Sequence, residues 1–346
     1  MGEALRSKAR FPELALSAGH YESFYLKASH PTEPVSIWIR YTVHKRPGAE
    51  PLGSLWLVLF DSREDGPWAV KTTMPEVGAG PDHHIHVGEA RFEAGHTVGH
   101  AVAEIAPPTR AGAAATGFER REATWDLTFE SAEPPFHHLP RDFMYRAPLP
   151  RTKLLSPYPD ARFSGRVEAG GRTVDLDGWR GMVGHNWGAQ HAERWIWLHG
   201  AGFEGHDDAW FDAGLGRIRI GPWTTPWVAN GVLSLDGVRH RLGGLGATRR
   251  TEVSERPDGA TFTLPGREIT VQGRVGADRK DFAGWIYADP DGSEHNTVNC
   301  SISNLVLTVS RPAQPPLTLQ LASGAVYELG MRERDHGMAI QPFPDG

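Results

Sequence analysis

The chain has 346 residues and a single cysteine, Cys300, so no disulfide can close within it and the cytoplasm is the expected compartment. Nothing in it approaches the roughly 18 consecutive apolar residues of a membrane-crossing helix. The first residues, Met1 to Lys8, carry no apolar signal core, and Arg6 stands where a myristoylation signal needs Ser or Thr. No block of like charge forms an interaction tail, and a net charge of −6 argues against a nucleic-acid surface. Helical periodicity is almost absent. So are a phosphate-binding P-loop, a G-x-S-x-G nucleophile turn and an H-E-x-x-H zinc motif.

What is present is glycine, proline, histidine and tryptophan: 40, 27, 17 and 12 residues. Gly and Pro punctuate a chain into short strands, and this much Trp needs a wide aromatic interior. Period-2 segments recur, among them Val35 to Val43, Ala123 to Phe129 and Asn304 to Val309, with a buried run at Ser54 to Phe60. Gly170-Gly171, Asp177-Gly178, Asp236-Gly237 and Asp258-Gly259 mark turns between them. Leu233 to His240 reads as a tight hairpin, because Asp-Gly suits a two-residue type I′ turn. The expectation is a mainly β chain of two antiparallel barrels or sandwiches, over residues 20–190 and 191–340. Residues 1–19 and 341–346 read as mobile ends, Pro107 to Gly117 as a loop, and Arg141 to Arg146 as one helical turn inside a proline-studded connection.

Two motifs invite chemistry and are weak. Gly200-Ala201-Gly202-Phe203-Glu204-Gly205 matches G-x-G-x-x-G, but His206-Asp207-Asp208 follows and places negative charge where a pyrophosphate would sit. A hairpin turn is the plainer reading. His83-His84-Ile85-His86 with Glu89 would put His84 and His86 on one strand face, able to share a metal. With Gly78 and Gly95 this approaches the first metal motif of the cupins. The Glu falls one residue early, however, and the second half of that pattern is not found. A polar strand end is the bland alternative. Cys300 has no neighbour in sequence that would activate a thiol.

The richest stretch runs from Gly178 to His199, with Gly184-His185-Asn186-Trp187-Gly188 at its centre, read as a turn. Gln190, His191 and the strand Arg194 to His199 follow it. Alternation puts Trp195, Trp197 and His199 on one face and Ile196 and Leu198 on the other. Such a face is either ordinary core or the wall of a cavity. So many polar groups are hard to satisfy in a plain core, which favours the wall. Trp210, Phe211, Trp223 and Trp227 would extend it.

These residues resemble the AttH/CrtC-like group, which has two lipocalin-like domains and includes carotenoid 1,2-hydratases (hydroxyneurosporene synthases). The group is related to tocopherol cyclases and to lipocalin-like Diels–Alderases. The resemblance is sharpest over residues 140–205. It implies a fold of two lipocalin-like, calycin-type barrels, a hydrophobic isoprenoid- or polyketide-like ligand, and chemistry with no cofactor or metal. In the hydratases an acidic residue is expected directly before His-Asn-Trp-Gly. Here that position is Gly184, which places alkene hydration in doubt and sends the search for a proton donor to Asp177, Asp207, Asp208 and Asp212.

The expected activity is therefore cyclisation, isomerisation or hydration of a hydrophobic small molecule. His185 and Asn186 would be catalytic, by hydrogen bonding or proton relay. Trp187, Gln190, His191, Trp195, Trp197 and His199 would bind substrate, with indole faces stabilising positive charge. The alternatives are a non-catalytic carrier or sensor of a hydrophobic molecule, and a cupin-like metal enzyme using His84 and His86. The His-Asn-Trp segment could equally serve as a hydrogen-bonded strut. Oligomeric state is not readable.

Overall fold

The computed structural model describes residues 8–80, 84–105 and 119–343. Two large antiparallel sheets account for almost all of it. The first contains β1 (His20–Ser29), β2 (Val35–Lys45), β3 (Leu52–Asp61), β4 (Trp68–Met74), β5 (Val77–Gly78), β6 (Ile85–Val87), β7 (Ala90–Glu93), β8 (His96–Ile105), β9 (Glu119–Glu130), β10 (Phe136–His137), β11 (Thr152–Ala169) and β12 (Arg172–Gly188). Its strand order is β4-β3-β2-β1-β12-β11-β9-β8-β7-β6-β5, with β10 beside β11. The sheet curls into a nearly closed barrel. Thr72 of β4 bonds both the carbonyl and the N–H of Val102 on β8, at 2.6 and 2.7 Å.

After the first sheet come β13 (Arg194–Phe203), β14 (His206–Arg217), β15 (Arg219–Ile220), β16 (Trp223–Thr224), β17 (Val228–Leu235), β18 (Val238–Gly243), β19 (Glu252–Arg256), β20 (Gly259–Pro265), β21 (Thr270–Gly276), β22 (Ala283–Ala288), β23 (Glu294–Ser310) and β24 (Leu317–Met331). The second sheet runs β18-β17-β14-β13-β24-β23-β21-β20-β19, with β22 beside β23, while β15 and β16 pair alone. A bridge between Leu242 and Gly266 brings its ends together. Curling removes the exposed edges that a long open sheet would present.

The Asp236-Gly237 hairpin forms as expected: Leu235 pairs Val238, and both turn residues have positive φ. The Gly200–Gly205 motif is part of the β13–β14 hairpin, with Phe203 opposite His206. Asp142–Tyr145 makes a short 3-10 turn. Pro107 to Gly117 and His83 lie outside the described residues. Three expectations change. Asp177-Gly178 lies inside β12, at a bulge between the Leu176–Gly165 and Trp179–Phe163 pairs, rather than at a turn between strands. The Gly184–Gly188 segment is extended strand, the end of β12, rather than a turn. The chain ends dock where they are described: Ala9 and Phe11 are buried in the first barrel, and Phe343 against the second sheet.

Strands β1 and β2 are buried on both faces. One face, with Phe24, Leu26, Ile37 and Ile39, fills the first barrel. The other, with Tyr25 and Trp38, packs on the second sheet. Trp285 of β22 sits 4.8 Å from Trp56 and 6.3 Å from Trp38, and Tyr25 meets Trp197 edge-on at 5.0 Å. Each large apolar side chain taken from water here contributes on the order of 2–3 kcal/mol. The seam between the sheets is therefore a true core, and where it parts a cavity opens.

Candidate active site

The cavity encloses about 1210 Å3 along the seam, lined from both sheets and by the Leu139–Thr152 connection. That is ample for a small organic ligand. Strand register decides who faces it. In the β1–β12 pair, Tyr25 lies opposite Gly184, Phe24 opposite His185, Ser23 opposite Asn186 and Glu22 opposite Trp187. Alternation sends Asn186 to the cavity and turns His185 and Trp187 to the other face.

His185 is buried, stacked on Phe24 at 4.1 Å, and bonds Glu22 through Nε2 at 2.7 Å. Glu22 also accepts the backbone N–H groups of Arg10 and Phe11, each at 2.9 Å, and approaches His20 at 3.3 Å. Burial alone would raise the Glu22 pKa, but the hydrogen bonds from His185 and His20 outweigh it and hold the carboxyl down to about 2. Burial lowers the His185 pKa against the pull of Glu22. Trp187 packs 4.5 Å from His185 with the Arg10 guanidinium over its ring. His199 is buried and bonds the Pro159 carbonyl at 2.9 Å. None of these three lines the cavity.

Asn186, Gln190, His191, Trp195 and Trp197 do line it. The proposed extensions of the wall do not: Trp210 and Phe211 are core, Trp227 is buried elsewhere, and Trp223 is exposed. The four aspartates considered as proton donors are also absent from the lining. Asp212 is buried and bonded to Ser156 at 2.5 Å, beside His138.

Three acidic residues line the cavity, Glu193, Asp291 and Glu328; the buried one, Glu328, stands on β24 directly opposite Trp197 of β13 and Asn299 of β23. Its carboxylate accepts hydrogen bonds from Trp195 Nε1 at 2.9 Å, Asn299 Nδ2 at 3.1 Å and the Tyr287 hydroxyl at 3.4 Å. Trp195 lies flat over Gly330, where a Cβ would come within 2.2 Å of the indole, so glycine is required there. Arg40 completes the polar lining, its guanidinium 4.4 Å from the Tyr287 ring. Sequence reasoning missed Glu328, Arg40 and Tyr287. No local motif marks them: strand pairing through β23 brings Tyr287 and Glu328 together, and the packing of the two sheets adds Arg40.

His191 is held from three sides. Its ring stacks between Tyr21 at 3.8 Å and Trp195 at 5.2 Å, and Asp289 accepts both its Nδ1–H and its backbone N–H at 2.7 Å. Burial would raise the Asp289 pKa, but the bond from His191 wins and keeps it low. A carboxylate on Nδ1 leaves Nε2 as the basic nitrogen, and that atom is buried with no hydrogen-bond partner. His295 stands 3.6 Å from Asp289, its pKa pushed by burial down to about 3.

The donor atoms of His191, Asp289 and His295 all lie within 4.8 Å of one another, the set best able to hold a metal among the described residues. The 2.7 Å Nδ1 contact is the spacing of a hydrogen bond, so the geometry as it stands is that of an Asp–His dyad. His84 and His86 join no three-residue donor group among the described residues.

The fold, a nearly closed antiparallel sheet followed by a second large antiparallel sheet, is shared with several solved proteins. No protein-family model matches the chain. An uncharacterized protein of Mycobacterium tuberculosis, in strains CDC 1551 / Oshkosh and H37Rv, is 27% identical over 191 residues, which is 55% of this chain and 52% of the relative. The chain thus spans about half the length of the curated relatives it matches. The AttH candidate NE1406 of Nitrosomonas europaea superposes with a TM-score of 0.50 at 13% identity, covering 96% of this chain and 99% of that one. CghA, solved with Sch210972, gives 0.56 at 10% identity over 90% and 88%. Kievitone hydratase of Nectria haematococca gives 0.50 at 9% identity over 94% and 91%. At such identities the likeness is one of fold.

Proposed function

We propose that this protein is an enzyme that encloses a hydrophobic small molecule in the seam cavity and moves a proton on it, without a cofactor. The carrying observation is a pair of proton-transferring groups on one aromatic wall: Glu328, fixed by Trp195, Asn299 and Tyr287, and His191, fixed by Asp289. Acid–base isomerisation and cyclisation take a proton from one carbon and return it at another, and hydration adds the proton and hydroxyl of water. None exchanges electrons, so two positioned acid–base groups and a shaped pocket are sufficient.

In this reading the roles given to His185 and Asn186 divide. Asn186 lines the cavity, and its side-chain amide is the group placed to hydrogen-bond substrate. His185 acts behind the sheet as a positioning residue, anchoring the strand that presents Asn186. Trp195 and Trp197 form the wall, and Trp197 Nε1 is a further unpartnered donor. The names of two proteins sharing the fold support the reading: CghA was solved with Sch210972, and another is a kievitone hydratase.

The test is native mass spectrometry of the purified protein, followed by solvent extraction of any co-purifying molecule. That molecule and its chemical precursors are then incubated with the protein and with Glu328→Gln. Conversion by the first and not the second supports the proposal. Tight binding with no conversion by either would leave a carrier.

A further inference from the structure

We infer that the ligand of this cavity is an acid: an apolar skeleton bearing one carboxylate, which pairs with Arg40. The inference rests on the proposed function, whose cavity it uses. Arg40 is 7% exposed and lines the cavity. An arginine keeps its proton under all ordinary conditions, so a buried one needs a counter-charge. Among the described residues it has no carboxylate within ion-pair distance. Its one hydrogen bond is from Nε to the Ser23 hydroxyl, at 2.6 Å.

The remaining surroundings of Arg40 are π faces: Tyr287 at 4.4 Å, Trp56 at 5.4 Å and Trp38 at 5.8 Å. These stabilise a cation but offer no acceptor in the guanidinium plane. Glu328, the buried acid among those lining the cavity, is engaged by Trp195, Asn299 and Tyr287 instead. Tyr287 separates the two charges, its hydroxyl on Glu328 and its ring under Arg40. With Nε engaged, the terminal nitrogens form the fork that matches a planar carboxylate. A ligand held there by its acid end would lay its apolar part toward Trp197, with Glu328 to one side.

The experiment titrates the purified full chain with dodecanoic acid, 1-dodecanol and methyl dodecanoate, read by tryptophan quenching. The acid is expected to bind roughly tenfold or more tightly than either neutral probe. In Arg40→Met that advantage should vanish while the alcohol affinity holds. With the unaltered protein, the advantage should also fade as pH drops through the probe's own carboxyl pKa, which keeps the test informative if the variant fails to fold. Equal binding of acid and alcohol would overturn the inference and leave the cavity reading intact. Binding of no probe at all would overturn both.

Discussion

Tyr25 fills the space beside Gly184. A Cβ on residue 184 would lie 2.2 Å from Tyr25 Cζ, so the ring and a side chain there exclude each other. The position directly before His185-Asn186-Trp187-Gly188 is thus closed to a side chain in this chain by an aromatic ring. Gly184→Asp is expected to lower the melting temperature by several degrees or more, as overpacking at a buried site does. Tyr25→Ala in the same chain should restore much of the loss. Thermal denaturation of the three variants checks this, and an unchanged melting temperature in Gly184→Asp would refute it.

Glu328→Gln keeps the shape and removes the base. Turnover should fall by about 10²–10⁴-fold while ligand affinity stays within a few-fold. Single-turnover kinetics and fluorescence titration separate the two. A KM effect alone would mean that Glu328 only binds.

Asp289→Asn should also depress turnover by about 10²-fold or more, because the Asp289 carboxylate dictates which nitrogen of His191 carries the proton. The dyad reading further expects turnover to survive exhaustive EDTA dialysis. Loss of activity on chelation, restored by one added equivalent of a divalent ion, would instead make His191, Asp289 and His295 ligands.

Acid should destabilise the protein through Glu22. Its folded pKa of about 2 lies below the ordinary 4.5, so its contribution is complete above about pH 4.5 and is lost as pH falls toward 2. The magnitude is about 3 kcal/mol. Urea denaturation at pH 7 and pH 3 should show a little over half of this lost, about 2 kcal/mol, because pH 3 still lies above the folded pKa, and Glu22→Gln should largely abolish it. A Glu22→Gln protein with the same acid sensitivity would contradict the assignment.

The two tryptophans named with His185 should behave oppositely. Trp197→Ala removes cavity wall and should weaken ligand binding by about tenfold or more. Trp187→Ala lies on the other face of β12 and should leave affinity unchanged while costing stability. Paired titrations and melts decide it.

Much of the architecture was legible because β structure writes itself locally. Asp236-Gly237 turned where its φ preferences required, and Trp195 and Trp197 line the cavity, although Ile196 between them lines it too and His199 does not. Gln190 and His191 were legible by adjacency. Glu328 and Arg40 were not, since they reach the cavity only through strand pairing and the packing of one sheet on the other, and Asp289 meets His191 across nearly a hundred residues of chain. The run Val35 to Val43 also misled in a specific way. Its alternation does not say what covers the second face of the strand, and its polar members Ser36, Arg40 and Thr42 are buried. Glycines in β12 read as a turn because sequence does not distinguish a glycine that bends the chain from one that lets a neighbour's ring approach.

His185 and Asn186 stand back to back on β12, one in the barrel and one in the cavity. What each compartment contains is therefore set by whether a residue's position is odd or even. A single-residue insertion just before His185 would exchange them, carrying the imidazole into the cavity and the amide into the barrel. Chains of this architecture can in this way trade the chemistry of their cavity by a change of length, with every side chain in the strand conserved.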